Sequence, residues 1–132
     1  MKNLVAEAIK ARTKTYSPYS NFAVGAAILV KDGTIIHGVN IENASYGLSN
    51  CAERSALFST YSSGYKKEDI VAMAIVADTK KPVSPCGACR QVINELVEKD
   101  TPIYLANLKG EIKQVKIADL LPYSFDELEN NE

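Results

Sequence analysis

The sequence predicts an α/β protein, a three-layer α/β/α sandwich around a central mixed five-stranded sheet. Three observations carry that expectation. Helical and strand patterns follow one another in the order α-β-β-α-β-α-β-β-α. Lys31-Asp32-Gly33 is a hairpin signal, which makes the first two strands antiparallel neighbours. Ile70 to Ala77 is an unbroken apolar run, the pattern of a strand covered on both faces.

The elements follow in order. Leu4, Val5, Ala8, Ile9 and Arg12 recur at helical spacing and predict a first helix over residues 2–13. Tyr16 to Asn21 is rich in turn formers and ends it. Phe22 to Val30 reads as a strand, and Thr34 to Ile41 as its returning partner. The polar stretch Asn43 to Asn50 leads into a helix over Cys51 to Tyr61, which Ser62-Ser63-Gly64 closes. After the apolar strand, Asp78 to Pro85 is a loop and Gly87 to Glu98 a helix, with Val92, Ile93, Leu96 and Val97 on one face. Pro102 to Ala106 and Ile112 to Ile117 read as strands around Lys109-Gly110. Ala118 to Leu121 is a short helix before an acidic end.

At 132 residues, the chain is expected to form one domain over 1–132. Fifteen basic against sixteen acidic side chains leave a net charge of −1, and no lysine block exceeds two residues. That argues against nucleic acid as a partner. No apolar run approaches the length of a membrane span, and residues 1–15 hold no apolar signal core. The expected location is the cytoplasm. Three cysteines cannot all pair with one another, so free thiols or metal ligands are expected.

All three cysteines fall in two short motifs, Cys51-Ala52-Glu53 and Pro85-Cys86-Gly87-Ala88-Cys89. Each sits at an expected helix N-terminus, where free backbone N–H groups and the dipole favour a thiolate. Cys86 and Cys89 are three apart and share a helix face. Three thiolates leave one position of a tetrahedral zinc open, the mark of a catalytic rather than a closed site. Zinc lowers the pKa of a bound water to about 7. Glu53, two residues beyond Cys51, is placed to take that water's proton without ligating the metal. Three thiolates over-neutralise a divalent ion, so Arg54 and Arg90 are expected to hydrogen-bond the sulfurs.

Other readings fit parts of the pattern. Cys-x-x-Cys also describes a redox dithiol. Glu53 also fits the third position of a capping box opened by Asn50. His37, the single histidine, is available as a fourth ligand of a structural zinc module without enzymatic activity.

At these residues the sequence resembles the zinc-dependent cytidine deaminases, whose signature is H-x-E followed by P-C-x-x-C, with an all-cysteine variant. Three further blocks extend the resemblance from about residue 12 to 128. Tyr16-Ser17-Pro18-Tyr19-Ser20-Asn21-Phe22-Ala23-Val24-Gly25-Ala26 is similar to the N-terminal block of the small homotetrameric enzymes that act on free nucleosides. Gly38 to Tyr46 is similar to their sugar-binding segment, and Leu120-Leu121-Pro122-Tyr123-Ser124-Phe125 to their C-terminal block.

The resemblance implies the cytidine deaminase fold and deamination of cytidine and deoxycytidine in pyrimidine salvage. It implies one zinc per chain on Cys51, Cys86 and Cys89, with Glu53 as proton shuttle. Asn40 and Glu42 would hydrogen-bond the ribose, Phe22 would wall the base pocket, and the Ala52 carbonyl would accept from the exocyclic amine. Phe125 would stack over the base of a neighbouring subunit, with Tyr46 at the same shared site of a homotetramer. The small residues Val24-Gly25-Ala26-Ala27 add weak support for close packing between copies. A deaminase of the antibiotic blasticidin S shares the C-x-E and P-C-G-x-C core, but Asn40-Ile41-Glu42 and Pro122 to Phe125 resemble the cytidine enzyme. A polynucleotide-editing deaminase fits the near-neutral charge poorly.

Overall fold

The computed structural model describes residues 2–126. Its elements are α1 (Lys2–Arg12), β1 (Val24–Val30), β2 (Ile35–Val39), α2 (Ala52–Ser62), β3 (Ile70–Ala77), α3 (Gly87–Leu96), β4 (Ile103–Asn107), β5 (Ile112–Val115) and α4 (Ile117–Leu120). Single 3₁₀ turns lie at Tyr46–Leu48 and Lys67–Asp69. The sheet order is β2-β1-β3-β4-β5. Only β3 and β4 run parallel; the other neighbours are antiparallel. The expected mixed five-stranded sheet is therefore present, with the apolar run of β3 at its centre.

Helices cover both faces. On one, α1 packs Leu4, Val5 and Ala8 against Ala27, Ala72, Ala74, Val76 and Ala106. On the other, α2, α3 and α4 enclose a larger core that includes Ala56, Leu57, Ile93 and Ile117 over Ile28, Met73, Ile75 and Ile103. Removal of this apolar surface from water is the main force that holds the layers together. Ile9, expected on the buried face of α1, is exposed; Ala11 is buried instead.

Two glycines set how closely the helices approach. A Cβ on Gly25 would strike the carbonyl of Ala8 and the backbone of Arg12 in α1. A Cβ on Gly38 would strike the backbone of Ala56 and Ala52 in α2, reaching the Ala52 carbonyl at 2.5 Å. The small residues of β1 are thus consumed inside the chain, with Ala26 and Ala27 fully buried. They do not provide the packing surface between copies that the sequence pattern had been read to support.

The registers bring one end of the sheet together. Val24 pairs with Ala77, Gly25 with Val39, and Ala77 with Asn107. The chain leaves β2 and β3 at this shared end. The connections that follow start α2 and α3 there, on the same face. Clefts beyond the carboxyl ends of parallel strands are the usual ligand sites of such sheets.

Several boundaries shift from expectation for local reasons. Phe22 and Ala23 fall outside β1 because the Asn40 amide takes over the Phe22 carbonyl and the Val24 N–H. The helix expected from Cys51 starts at Ala52, with Cys51 as its N-cap. The one expected to reach Glu98 stops at Leu96.

Gly38→Ala is expected to lower stability by about 3 kcal/mol, the upper part of the range for overpacking, because α2 has no flexible neighbour to yield. Urea unfolding of the variant beside the parent measures it; an unchanged midpoint would show that α2 moves away freely.

Candidate metal centre and cavity

The two helix starts deliver the sulfurs. Cys51 caps α2 with φ −80° and ψ 157°, and Cys86 caps α3 with φ −70° and ψ 168°. Neither side chain makes a capping hydrogen bond, so both thiols are free to face each other. Cys89, in the first turn of α3, is fully buried. Cys51 Sγ lies 3.8 Å from Cys86 Sγ, and Cys86 Sγ lies 3.4 Å from Cys89 Sγ. All three fall within 4.8 Å of one another. Thiolates about 2.3 Å from a tetrahedral zinc stand about 3.8 Å apart, so this donor set fits the ion.

The electrostatics favour anionic sulfur. Both helix dipoles present their positive ends to the cluster. The Cys51 thiol is pushed down to about 5, first by a hydrogen bond from Cys89 and also by Arg54, against the effect of burial. The Cys89 thiol is pushed up, because it donates to the Cys51 sulfur and is itself buried. Arg54 Nη2 donates to Cys51 Sγ at 3.4 Å, the contact expected of it, while its Nε is buried and has no partner among the described residues.

Glu53 is the second residue of α2 and only 5% exposed. Burial pushes its carboxyl up to about 7, and the negative Cys51 sulfur adds to the rise. The capping-box alternative fails, because the cap is Cys51 and the Asn50 amide turns to Ser55 Oγ at 3.3 Å. His37 is not in the cluster; its Nε2 meets Glu7 at 2.8 Å on the surface. The redox-dithiol reading fails as well, since the third sulfur completes a metal-binding set.

Arg90 corrects an expectation. Its guanidinium donates to the Pro85 carbonyl at 2.8 Å, the Leu120 carbonyl at 2.9 Å and Ser84 Oγ at 2.6 Å. Among the described residues none of its hydrogen bonds reaches a sulfur. Only Arg54 does so.

A cavity of about 500 Å³ opens over the cluster. Cys51, Ala52, Glu53 and Cys86 line it together with Asn40, Glu42, Tyr46 and Phe22. Asn40 Oδ1 accepts from Val24 N at 2.9 Å and Thr15 Oγ1 at 2.6 Å, and Nδ2 donates to the Phe22 carbonyl at 2.8 Å. The Glu42 carboxylate accepts from Tyr19 N at 2.9 Å, Ser20 N at 3.0 Å and the Ser20 hydroxyl. Those donors, the Ser20 hydroxyl first, hold it below the usual carboxylate range. Tyr46 stands 88% exposed at the rim. Phe125 is 60% exposed and outside this lining, its carbonyl held by Gln91 Nε2 at 2.8 Å.

The motifs assign no site role to Ser20 and Thr15, which orient Glu42 and Asn40, or to Val83 and Ser84, which line the cavity. Their only sequence signal is proximity to a motif, because the contacts form between segments distant in the chain.

An open three-sulfur site with a buried carboxyl beside it defines a zinc hydrolase of the water-activating kind. The family model described as the cytidine and deoxycytidylate deaminase zinc-binding region matches residues 1–105. A cytidine deaminase of Halalkalibacterium halodurans is 61% identical over 122 residues, covering 92% of this chain and 91% of that one. One of Sporosarcina psychrophila is 54% identical over 125 residues, covering 95% and 90%. The crystal structure of cytidine deaminase from Burkholderia pseudomallei superposes with a TM-score of 0.91 at 49% identity, covering 94% of this chain and 98% of that one. This chain belongs to the cytidine and deoxycytidylate deaminase family, and it is a zinc enzyme.

Cys89→Ser is expected to reduce bound zinc from about one per chain to well below half, since a buried hydroxyl replaces a thiolate. Elemental analysis of purified protein measures it, and full zinc in the variant would remove Cys89 from the ligand set.

Proposed function

We propose that the chain is a cytidine deaminase that converts cytidine and deoxycytidine, with water, to uridine or deoxyuridine and ammonia, in pyrimidine salvage. The observation that carries the reading is a three-sulfur cluster, two of whose members, Cys51 and Cys86, share the wall of one cavity with the buried Glu53. Zinc bound there supplies an activated water for attack at C4 of the base.

The chain's own groups do the rest. Glu53 takes a proton from the attacking water and passes it to N3 of the ring; it then takes the remaining proton of the hydroxyl added at C4 and delivers it to the departing amine. Its seat beside the sulfurs and away from bulk water supports that role. The Ala52 carbonyl accepts from the exocyclic amine and Phe22 walls the base. Asn40 and Glu42 meet the ribose hydroxyls; their hydrogen bonds to the 15–24 segment keep both acceptors in place before substrate arrives.

Residues 1–132 act as one domain with one zinc, in the reducing cytoplasm that free metal-binding thiols require. The assembly is a homotetramer with shared sites. Exposed Tyr46 at the rim, and exposed Phe125 outside the lining of the chain's own cavity, support a second copy completing each site. The substrate is a free nucleoside; the scattered lysines give no track for a polynucleotide.

The test is loss of ultraviolet absorbance with cytidine, deoxycytidine and blasticidin S side by side. The two nucleosides should turn over and the antibiotic should not. Glu53→Gln should lower turnover by at least about 10³-fold, within the span of general acid–base catalysis, with zinc retained. Near-normal turnover in that variant would overturn the proton-shuttle role.

A further inference from the structure

Ser84 and Val83 form part of the cavity wall, and Pro85 leads directly into the ligand Cys86. Val83 packs into the core, but Ser84 and Pro85 beyond it have few ties of their own. Pro82 and Pro85 have no N–H to donate. The last backbone tie before α3 is a long one, Val83 N to the Ala106 carbonyl at 3.4 Å. Arg90 supplies what is missing. Its fork holds Ser84 Oγ, the Pro85 carbonyl and the Leu120 carbonyl at the end of α4, all within 2.9 Å. Its own backbone N–H bonds the Cys86 carbonyl at 3.0 Å, so its base is set by the same helical turn that carries Cys86 and Cys89.

We propose that Arg90 is a positioning residue for substrate: it clasps the Ser84–Pro85 wall against α4 and so sets the distance between that wall and the metal centre. The three acceptors come from two segments, the Ser84–Pro85 loop and the end of α4, and each bonds a different guanidinium nitrogen. A planar fork reaches them together, whereas a lysine ammonium is a point donor that reaches one or two. A wall displaced by even about 1 Å binds substrate poorly, because the cavity no longer matches it in the ground state or the transition state. The inference rests on the cavity being the cytidine deaminase site.

The experiment compares Arg90→Lys, Arg90→Ala and Ser84→Ala with the parent enzyme, all as zinc-loaded protein. Each is assayed for KM and kcat with cytidine, affinity for the product uridine, and zinc content. For Arg90→Lys, KM and the uridine inhibition constant should both rise about tenfold while kcat stays within about threefold, the signature of lost uniform binding. Zinc should remain near one per chain. Ser84→Ala should show a smaller rise in the same direction. Added guanidinium ion should restore uridine affinity to Arg90→Ala and leave the parent unchanged. If Arg90→Ala does not fold, Arg90→Lys and Ser84→Ala decide the matter.

A lower melting temperature with unchanged KM and uridine affinity would overturn the proposal, leaving Arg90 a purely structural tie. Loss of zinc at unchanged KM would overturn it too, since Arg90 would then act on the metal. A parent enzyme that fails to deaminate cytidine would instead sink the functional reading, a different result from variants that match an active parent.

Discussion

A metal that takes three sulfurs needs them as thiolates, which repel one another in a partly buried site, and the surrounding structure acts against that repulsion. The two helices begin at the sulfurs themselves, so each dipole ends on the charge it stabilises. Arg54 adds a full positive charge at the Cys51 sulfur. This requirement accounts for much of the architecture. The helices must start at one end of the sheet, which the pairing of Val24 with Ala77 and Gly25 with Val39 provides. They must also lie close to it, which Gly38 permits by leaving room for the backbone of α2.

Around this centre the polar groups are committed before any ligand arrives. Asn40 and Glu42 each hold several hydrogen bonds to the segment between α1 and β1. Asn21 adopts a left-handed conformation, φ 55°, to close that segment's turn. This part of the cavity wall is therefore built from two stretches some twenty residues apart, pinned through side chains rather than through a ladder. The C-terminal segment is fastened in a similar way. Gln91 holds the Phe125 carbonyl, Asn94 Nδ2 donates to Asp126 at 2.8 Å, and Lys99 Nζ donates to Asn94 Oδ1 at 2.7 Å. Helix α3 thus carries one sulfur of the cluster at its N-cap and another in its first turn, with Gln91 and Asn94 further along holding Phe125 and Asp126.

The layers and the metal ligands were legible because they rest on local patterns. The apolar run of β3 and the Lys31-Asp32-Gly33 turn mark sheet elements directly. Cysteines at two helix starts state their own chemistry, and the family resemblance pointed to Asn40, Glu42 and Phe22. Arg90 shows where such reading stops. Its place beside Cys89 pointed to a sulfur contact, yet its side chain runs back along the preceding loop, and only the folded path of that loop reveals the carbonyls within reach. The small residues of β1 misled for a related reason: the pattern for close packing is the same whether the neighbour is another copy or the chain's own helix.

Cys51 and Cys86 are 35 residues apart in the chain and stand on opposite sides of the central strand in sequence, one after the β1–β2 hairpin and the other before β4. A bound zinc therefore acts as a cross-link between the two halves of the molecule, closing a long loop much as a disulfide does. Because the unfolded chain offers no preformed set of three thiolates, the ion's affinity adds to the free energy of folding. The hairpin half and the crossover half are accordingly joined twice, once by the core beneath the sheet's helices and once by the ion at its end. The enzyme's catalytic ion and its long-range staple are one object.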